Sequence, residues 1–191
     1  MPEHPWVPDN MVVDWERPHL GGYLSGSIGD VGSYCAPVWA WLLKKYKVHS
    51  MIDVGCGEGH ALRWFAARGC RVLGVEGIAQ PDKRIVEHDY TLGPYRPRGR
   101  FDLAWCCEFV EHVEAQFLDN FMVTLAKAKI IAMTHALPWQ GGHHHVNCQP
   151  EEYWLNVLGN WGYRINRPAT RYARTLHPGS YFDWSGLIFM R

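Results

Sequence analysis

Apolar positions along the chain change period repeatedly, and each change predicts an element. Short apolar runs of the kind that build buried strands occupy 50–54, 70–76, 85–90, 101–108, 129–134 and 186–190. Helical spacing appears between them. Val38, Trp41, Leu42 and Tyr46 mark one side of a helix over 37–46, with Pro37 in its first turn. Ala61, Leu62, Phe65 and Ala66 mark a second, closed by Gly69. Phe117, Leu118, Phe121, Met122 and Leu125 form the stripe of a helix over 115–128, and Glu111–His112–Val113 reads as opening another helix just before it. A further helix spans 151–158, between Pro150 and the break at 159–162. Strands alternating with helices predict a mostly parallel sheet covered on both faces. Residues 1–34 carry no sustained period and are rich in Pro, Gly and Asp, so they read as an extension draped over one domain of residues 35–191. Within it, 21–26 is flexible enough for a lid over a ligand, or is simply part of an irregular arm.

Glycines and acids at the strand ends add chemistry. Gly55, Gly57 and Gly59 follow the first core strand and open the second helix, so backbone N–H groups face whatever lies above the sheet. Glu76 ends the second strand, nineteen residues beyond Gly57, where a carboxylate can accept from both ribose hydroxyls of an adenosine. Asp89 ends the third. The spacing is G-x-G-x-G rather than the dinucleotide fingerprint G-x-G-x-x-G, and Asp53 stands two residues before the first glycine. A carboxylate there can hold an ammonium group, which a nicotinamide dinucleotide lacks.

Asp53 to Gly59 (D-V-G-C-G-E-G) and Phe101 to His112 (F-D-L-x-W-x-x-E-x-x-E-H), in this order and spacing, resemble the class I S-adenosylmethionine-dependent methyltransferases of small-molecule type over about residues 48–165. The resemblance implies a Rossmann-like α/β fold: a doubly wound, mostly parallel seven-stranded sheet whose last strand is antiparallel. It implies S-adenosylmethionine as cofactor and S-adenosylhomocysteine as product. Asp53 would face the methionine end, Glu76 would take the ribose, and Gly55, Cys56, Gly57 and Gly77 would also bind the cofactor. Asp89 would meet the adenine amino group, Tyr90 would lie beside the ring, and Cys107 and Glu108 would follow the fourth strand. Glu58 is read as an exposed first-turn acid suited to the helix dipole. Glu111 and His112 fall near the sulfonium end, for packing and capping or for catalysis.

Residues 134–148 follow the fifth strand and should overhang the site's mouth. Four histidines there (His135 and His143–His145) near a transferable methyl point to a general base, since imidazole titrates near pH 6.5. His144 and His145 are the first candidates, with His135 and His112 behind them. His143, His145 and Cys148 are also metal-ligand types, but their spacing matches no usual site, so no metal is expected. At least one of the three consecutive histidines should only order the loop, because neighbours in extended chain point to opposite sides. An N-P-P-Y or D-P-P-Y motif is absent, and Cys106–Cys107–Glu108–Phe109 stands in its place. This favours a hydroxyl oxygen of a small molecule as acceptor. A small amine, or a non-catalytic cofactor-binding partner subunit, are the alternatives.

Composition bounds the partners. The 191 residues carry 19 Lys+Arg against 19 Asp+Glu, so bulk charge predicts no nucleic-acid surface, and Arg96, Arg98 and Arg100 read as a solvated loop. No apolar run is long enough for a membrane span, and Met1–Pro5 lacks a secretory pattern. Six scattered cysteines without C-x-x-C suit reduced thiols in the cytoplasm. Most of the ten tryptophans should pack in the core.

Overall fold

The computed structural model describes residues 8–191; Met1–Pro5 and the very start of the extension lie outside the described residues. The extension forms a small antiparallel hairpin, β1 (Met11–Val13) with β2 (Gly21–Leu24), separate from the main sheet. The main sheet contains β3 (Ser50–Val54), β4 (Arg71–Glu76), β5 (Ile85–Glu87), β6 (Phe101–Cys106), β7 (Ala128–Met133), β8 (Arg164–Ile165) and β9 (Leu187–Met190). Their spatial order is β5-β4-β3-β6-β7-β9-β8. β3 to β7 pair in parallel, and β9 runs antiparallel to β7. The order reverses between β3 and β6, which opens a crevice beyond their carboxyl ends.

Each face of the sheet has its own apolar layer. α3 (Leu118–Leu125) and α4 (Glu151–Asn160) cover one face through Phe121, Met122, Leu125 and Trp154. α1 (Ala36–Tyr46), α2 (His60–Ala66) and α5 (Arg167–Arg174) cover the other through Trp39, Leu42, Phe65 and Ala173, with Phe182 of α6 (Tyr181–Ser185) beside them. Removing a side chain of this size from water contributes about 1.5–3 kcal/mol.

Several expected boundaries move. In α1 the buried tryptophan is Trp39, not Trp41; Trp41 and Tyr46 pack on each other at the rim, and Trp41 meets Tyr172 of α5 at 5.4 Å. Glu111 and His112 sit in a single 3-10 turn (Val110–His112) rather than opening a helix. The helix expected over 115–128 begins as another 3-10 turn, is α-helical only over α3, and yields to β7 at Ala128. β7 is not apolar throughout, because Lys129 is exposed and its Nζ reaches the Asp102 carboxylate at 2.9 Å. α5 carries no long apolar stripe: it buries only Ala169, Thr170 and Ala173. Trp39, Trp105 and Trp154 are core residues, whereas Trp15, Trp139 and Trp184 are exposed.

Candidate active site

The crevice is built outward from the end of β3. Gly55 and Gly57 have φ of 70° and 49°, so the chain turns there at no Cβ cost. The Gly55 and Cys56 amides cross to the Val75 carbonyl, at 2.9 and 3.2 Å. A Cβ on Gly55 would press into the Phe109 ring, and one on Gly57 would meet Tyr23.

Three buried carboxylates surround this turn. Glu76 accepts from the Gly57 amide at 2.8 Å and the Gly77 amide at 2.9 Å; burial nevertheless raises its pKa. Asp53 is pushed up to about 8 by burial, and the neighbouring Glu76 charge adds to the shift. Asp89 has one oxygen on the Thr91 amide and hydroxyl, capping the turn at Tyr90–Leu92, and its other oxygen lies 2.9 Å from His19 Nε2. Burial alone would raise Asp89, but the hydrogen bonds from His19 and Thr91 outweigh it and hold the carboxyl low. Tyr90 is anchored by its hydroxyl on Thr124 Oγ1 at 3.0 Å, with its ring edge-on to Phe109.

These residues line one cavity of about 390 Å³ together with Cys56, Gly77, Cys107 and Glu108. Glu108 has φ of 50° and exchanges two hydrogen bonds with Thr134, each 2.7 Å. Burial pushes its carboxyl up to about 7. The same cavity reaches His112, His143 and His145.

The histidines separate. His135 is buried away from the cavity, with its ring 6.3 Å from Trp154 and its amide on Ser185 Oγ. His144 also points elsewhere: its backbone is left-handed (φ 47°), and its Nε2 lies 3.8 Å from Glu114. His143 and His145 share a side, two residues apart. His143 Nε2 donates to the Pro18 carbonyl at 2.8 Å, and His145 Nδ1 donates to the Gln140 carbonyl at 3.0 Å. His112 is pushed down to about 3, first by burial and then by the charge of His145.

Glu58 departs from its expected role as a free first-turn acid. It accepts from Ser25 Oγ at 2.5 Å and from the Gly26 amide at 3.4 Å, which ties the N-terminal segment to the glycine turn. The sequence allowed 21–26, and Tyr23 with it, as a lid, but nothing in its pattern flagged His19 or Leu20 as site residues. Yet Leu20 packs on Gly77, Tyr23 lies over Gly57, and all three line the cavity. Strands of three and four residues with a register shift leave too little alternation to detect.

The donor set fits an adenosyl amino acid. A strand-end acid can take ribose hydroxyls, a second buried acid lacks a cationic partner that an ammonium would supply, and the turn admits close backbone contact. A crevice at this place in a seven-stranded sheet whose β9 runs antiparallel to β7 is the Rossmann-like methyltransferase fold. The chain belongs to the methyltransferase-domain family, whose profile matches residues 30–170. Among the solved structures that share its fold, the magnesium protoporphyrin IX methyltransferase of Synechocystis is described with bound S-adenosylmethionine and with bound S-adenosylhomocysteine. It is 26% identical over 126 residues to the ubiquinone biosynthesis O-methyltransferase of Acinetobacter baylyi, across 57% of this chain and 48% of that protein, so it spans about half the length of that relative. In fold it is similar to magnesium protoporphyrin IX methyltransferase of Synechocystis with bound S-adenosylmethionine (TM-score 0.57, 16% identity, 92% of this chain and 87% of that one). It is also similar to the 1,6-didemethyltoxoflavin-N1-methyltransferase of Burkholderia thailandensis (TM-score 0.54, 15% identity, 81% and 75%).

Proposed function

We propose that this chain transfers the methyl group of S-adenosylmethionine to a hydroxyl oxygen of a small molecule, with a histidine of the 134–148 loop taking the acceptor's proton. One observation carries the reading: a single cavity joins the strand-end acids Glu76 and Asp89 to the imidazoles of His112 and His145. S-adenosylmethionine supplies a methyl activated on positively charged sulfur. Glu76 takes the ribose hydroxyls, Asp89 the adenine amino group and Asp53 the ammonium, while Gly55 to Gly57 let the backbone approach and Tyr90 flanks the ring. Cys107 and Glu108 border the cofactor where the acceptor enters. Holding acceptor and methyl in line can lower the barrier by about 7–11 kcal/mol.

Among the four candidate histidines, His145 is the best placed base. Its Nδ1–H is committed to Gln140, which leaves the Nε2 lone pair free. His112 stands beside it, with ring centroids 5.0 Å apart. His135 and His144 do not line the cavity. The β1–β2 hairpin acts as a lid, latched by His19 on Asp89 and by Ser25 on Glu58.

The O-methyltransferase name of the relative from A. baylyi supports oxygen as acceptor. The N1-methyltransferase named among the structural neighbours keeps a small amine as the second reading. Zero net charge supports a small acceptor over a nucleic acid. Among the described residues no helix is long and apolar enough to cross a membrane, and the six cysteines are free thiols, which supports a reducing cytoplasm. The test is S-adenosylhomocysteine formation with matched panels of small alcohols, phenols, sugars and amines. Turnover on hydroxyls alone is expected. Turnover on amines alone overturns the oxygen reading, and cofactor binding without turnover on any panel makes the chain a non-catalytic partner.

A further inference from the structure

We infer that Glu111, His112 and His145 form a site for a divalent first-row cation on the acceptor side of the cavity. Each offers one ligand atom, and these atoms lie within 4.8 Å of one another. One carboxylate and two imidazoles suit Mn²⁺, Co²⁺ or Zn²⁺. The residues come from two separate elements, the 3-10 turn after β6 and the histidine loop.

The loop triplet considered from sequence does not assemble: Cys148 Sγ turns to the Gln140 carbonyl at 3.5 Å, and His143 binds Pro18. His145 instead meets the Glu111–His112 pair.

Glu111 is the decisive residue. Its side chain is wholly buried (0% exposed); the Glu111 and Ala136 amides approach the carboxylate, but neither oxygen has a hydrogen-bond partner of good geometry and no cationic group pairs with it. An unpaired carboxylate in that position is costly unless a cation or a proton occupies it. His112 Nδ1 is likewise buried without a partner. The support around the ligands is already built. The Glu111 carbonyl accepts from the Val146 and Asn147 amides at 2.9 and 3.0 Å, which brings the loop to the turn. His145 donates its Nδ1–H to the Gln140 carbonyl, the second-atom contact that orients a ligating imidazole. Three protein ligands leave open positions toward the cavity, where a small oxygen-bearing molecule can complete the coordination.

This site deepens the methyl-transfer reading and rests on it only for its use, not for its existence. A cation held there would make a hydroxyl bound at its open position lose its proton more readily. With the cation in place, His145 Nε2 would be committed as a ligand, so its role as base under the proposed function belongs to the cation-free protein. The acceptors favoured are those with a second oxygen beside the methylated hydroxyl, able to chelate.

The experiment is titration of the chelator-treated 191-residue chain with Mn²⁺ and Zn²⁺ by calorimetry, and with Co²⁺ by visible absorption. One cation per chain is expected, with Co²⁺ bands of a low-coordinate nitrogen–oxygen site. H145A alters a half-buried ligand on a loop outside the sheet and helices and should leave the fold intact; it and E111Q should each weaken binding by at least about 10-fold. H49A, an exposed histidine far from the cavity, should bind like the parent. Absence of saturable binding, or equal affinity in H145A and the parent, overturns the site. Calorimetry with S-adenosylhomocysteine on the same preparations reads the cofactor side separately, so a failed cation site leaves the methyl-transfer reading standing.

Discussion

The two halves of the cavity solve opposite problems. At the adenosyl end, acids stand at the tips of neighbouring strands and are largely satisfied by backbone amides: Glu76 by Gly57 and Gly77, and Asp89 by Thr91. At the acceptor end, the ionisable groups are brought together from separate segments and left unsatisfied: Glu111 has neither oxygen paired, and His112 Nδ1 has no partner. Satisfied carboxylates form a rigid, preorganised cradle. Unsatisfied buried groups represent free energy that a proton, a cation or a substrate can recover on binding. Under the proposed function, the adenosyl end is the recognition surface and the acceptor end is where the chemistry is set.

Substitutions should separate the two halves, and the largest effect is expected at the acceptor end. H145A should lower turnover by about 10²–10⁴-fold while leaving the dissociation constant for S-adenosylhomocysteine nearly unchanged. A parallel loss of cofactor affinity would mean that the halves are not independent. Conversely, E76Q should weaken cofactor binding by about 10- to 100-fold, the size of one or two hydrogen bonds to a charged group, as read by calorimetry. Stability should respond at the glycine turn. G55A places a side chain at φ 70° and against Phe109, and should cost at least about 1–2 kcal/mol in denaturant unfolding.

A pH series sharpens the contrast at Asp53. Its carboxyl is held near 8 in the folded chain, against an ordinary 3.8, by burial and by Glu76. The unfolded chain releases this proton first, so the unliganded protein should lose stability as pH rises from 3.8 toward 8. An ammonium on Asp53 favours the ionised form. Cofactor binding near neutral pH should then release a proton, and affinity should rise by up to about tenfold per pH unit below 8. Calorimetry in buffers of different ionisation enthalpy measures this directly, and D53N should abolish it. The smallest effect is expected at the lid. H19A removes one part-buried hydrogen bond to Asp89 worth about 1 kcal/mol, so cofactor affinity should change by about fivefold or less while its release quickens.

Legibility followed contact range. The β3 turn, the acids at 76 and 89 and the order of strands and helices are local patterns: a glycine where φ is positive, an acid one step past an apolar run. The misread helix at Glu111–His112 has a different cause. Its residues carry helical spacing, but the chain there is held by the loop at 146–147, which sits more than thirty residues away. Trp39 displaced Trp41 from the core for a similar reason, since only the placement of α5 against α1 decides which side of α1 is rim.

The sequence by itself determined the parallel sheet, the glycine turn and the acids that frame the cavity, because each depends on neighbours a few positions apart. Only the tertiary structure decided which histidine faces the cavity, that the N-terminal hairpin covers it, and that Glu111 is buried unpaired beside two imidazoles. Those facts depend on where distant loops meet, and the periodicity of a single segment carries no information about the surface that will pack against it.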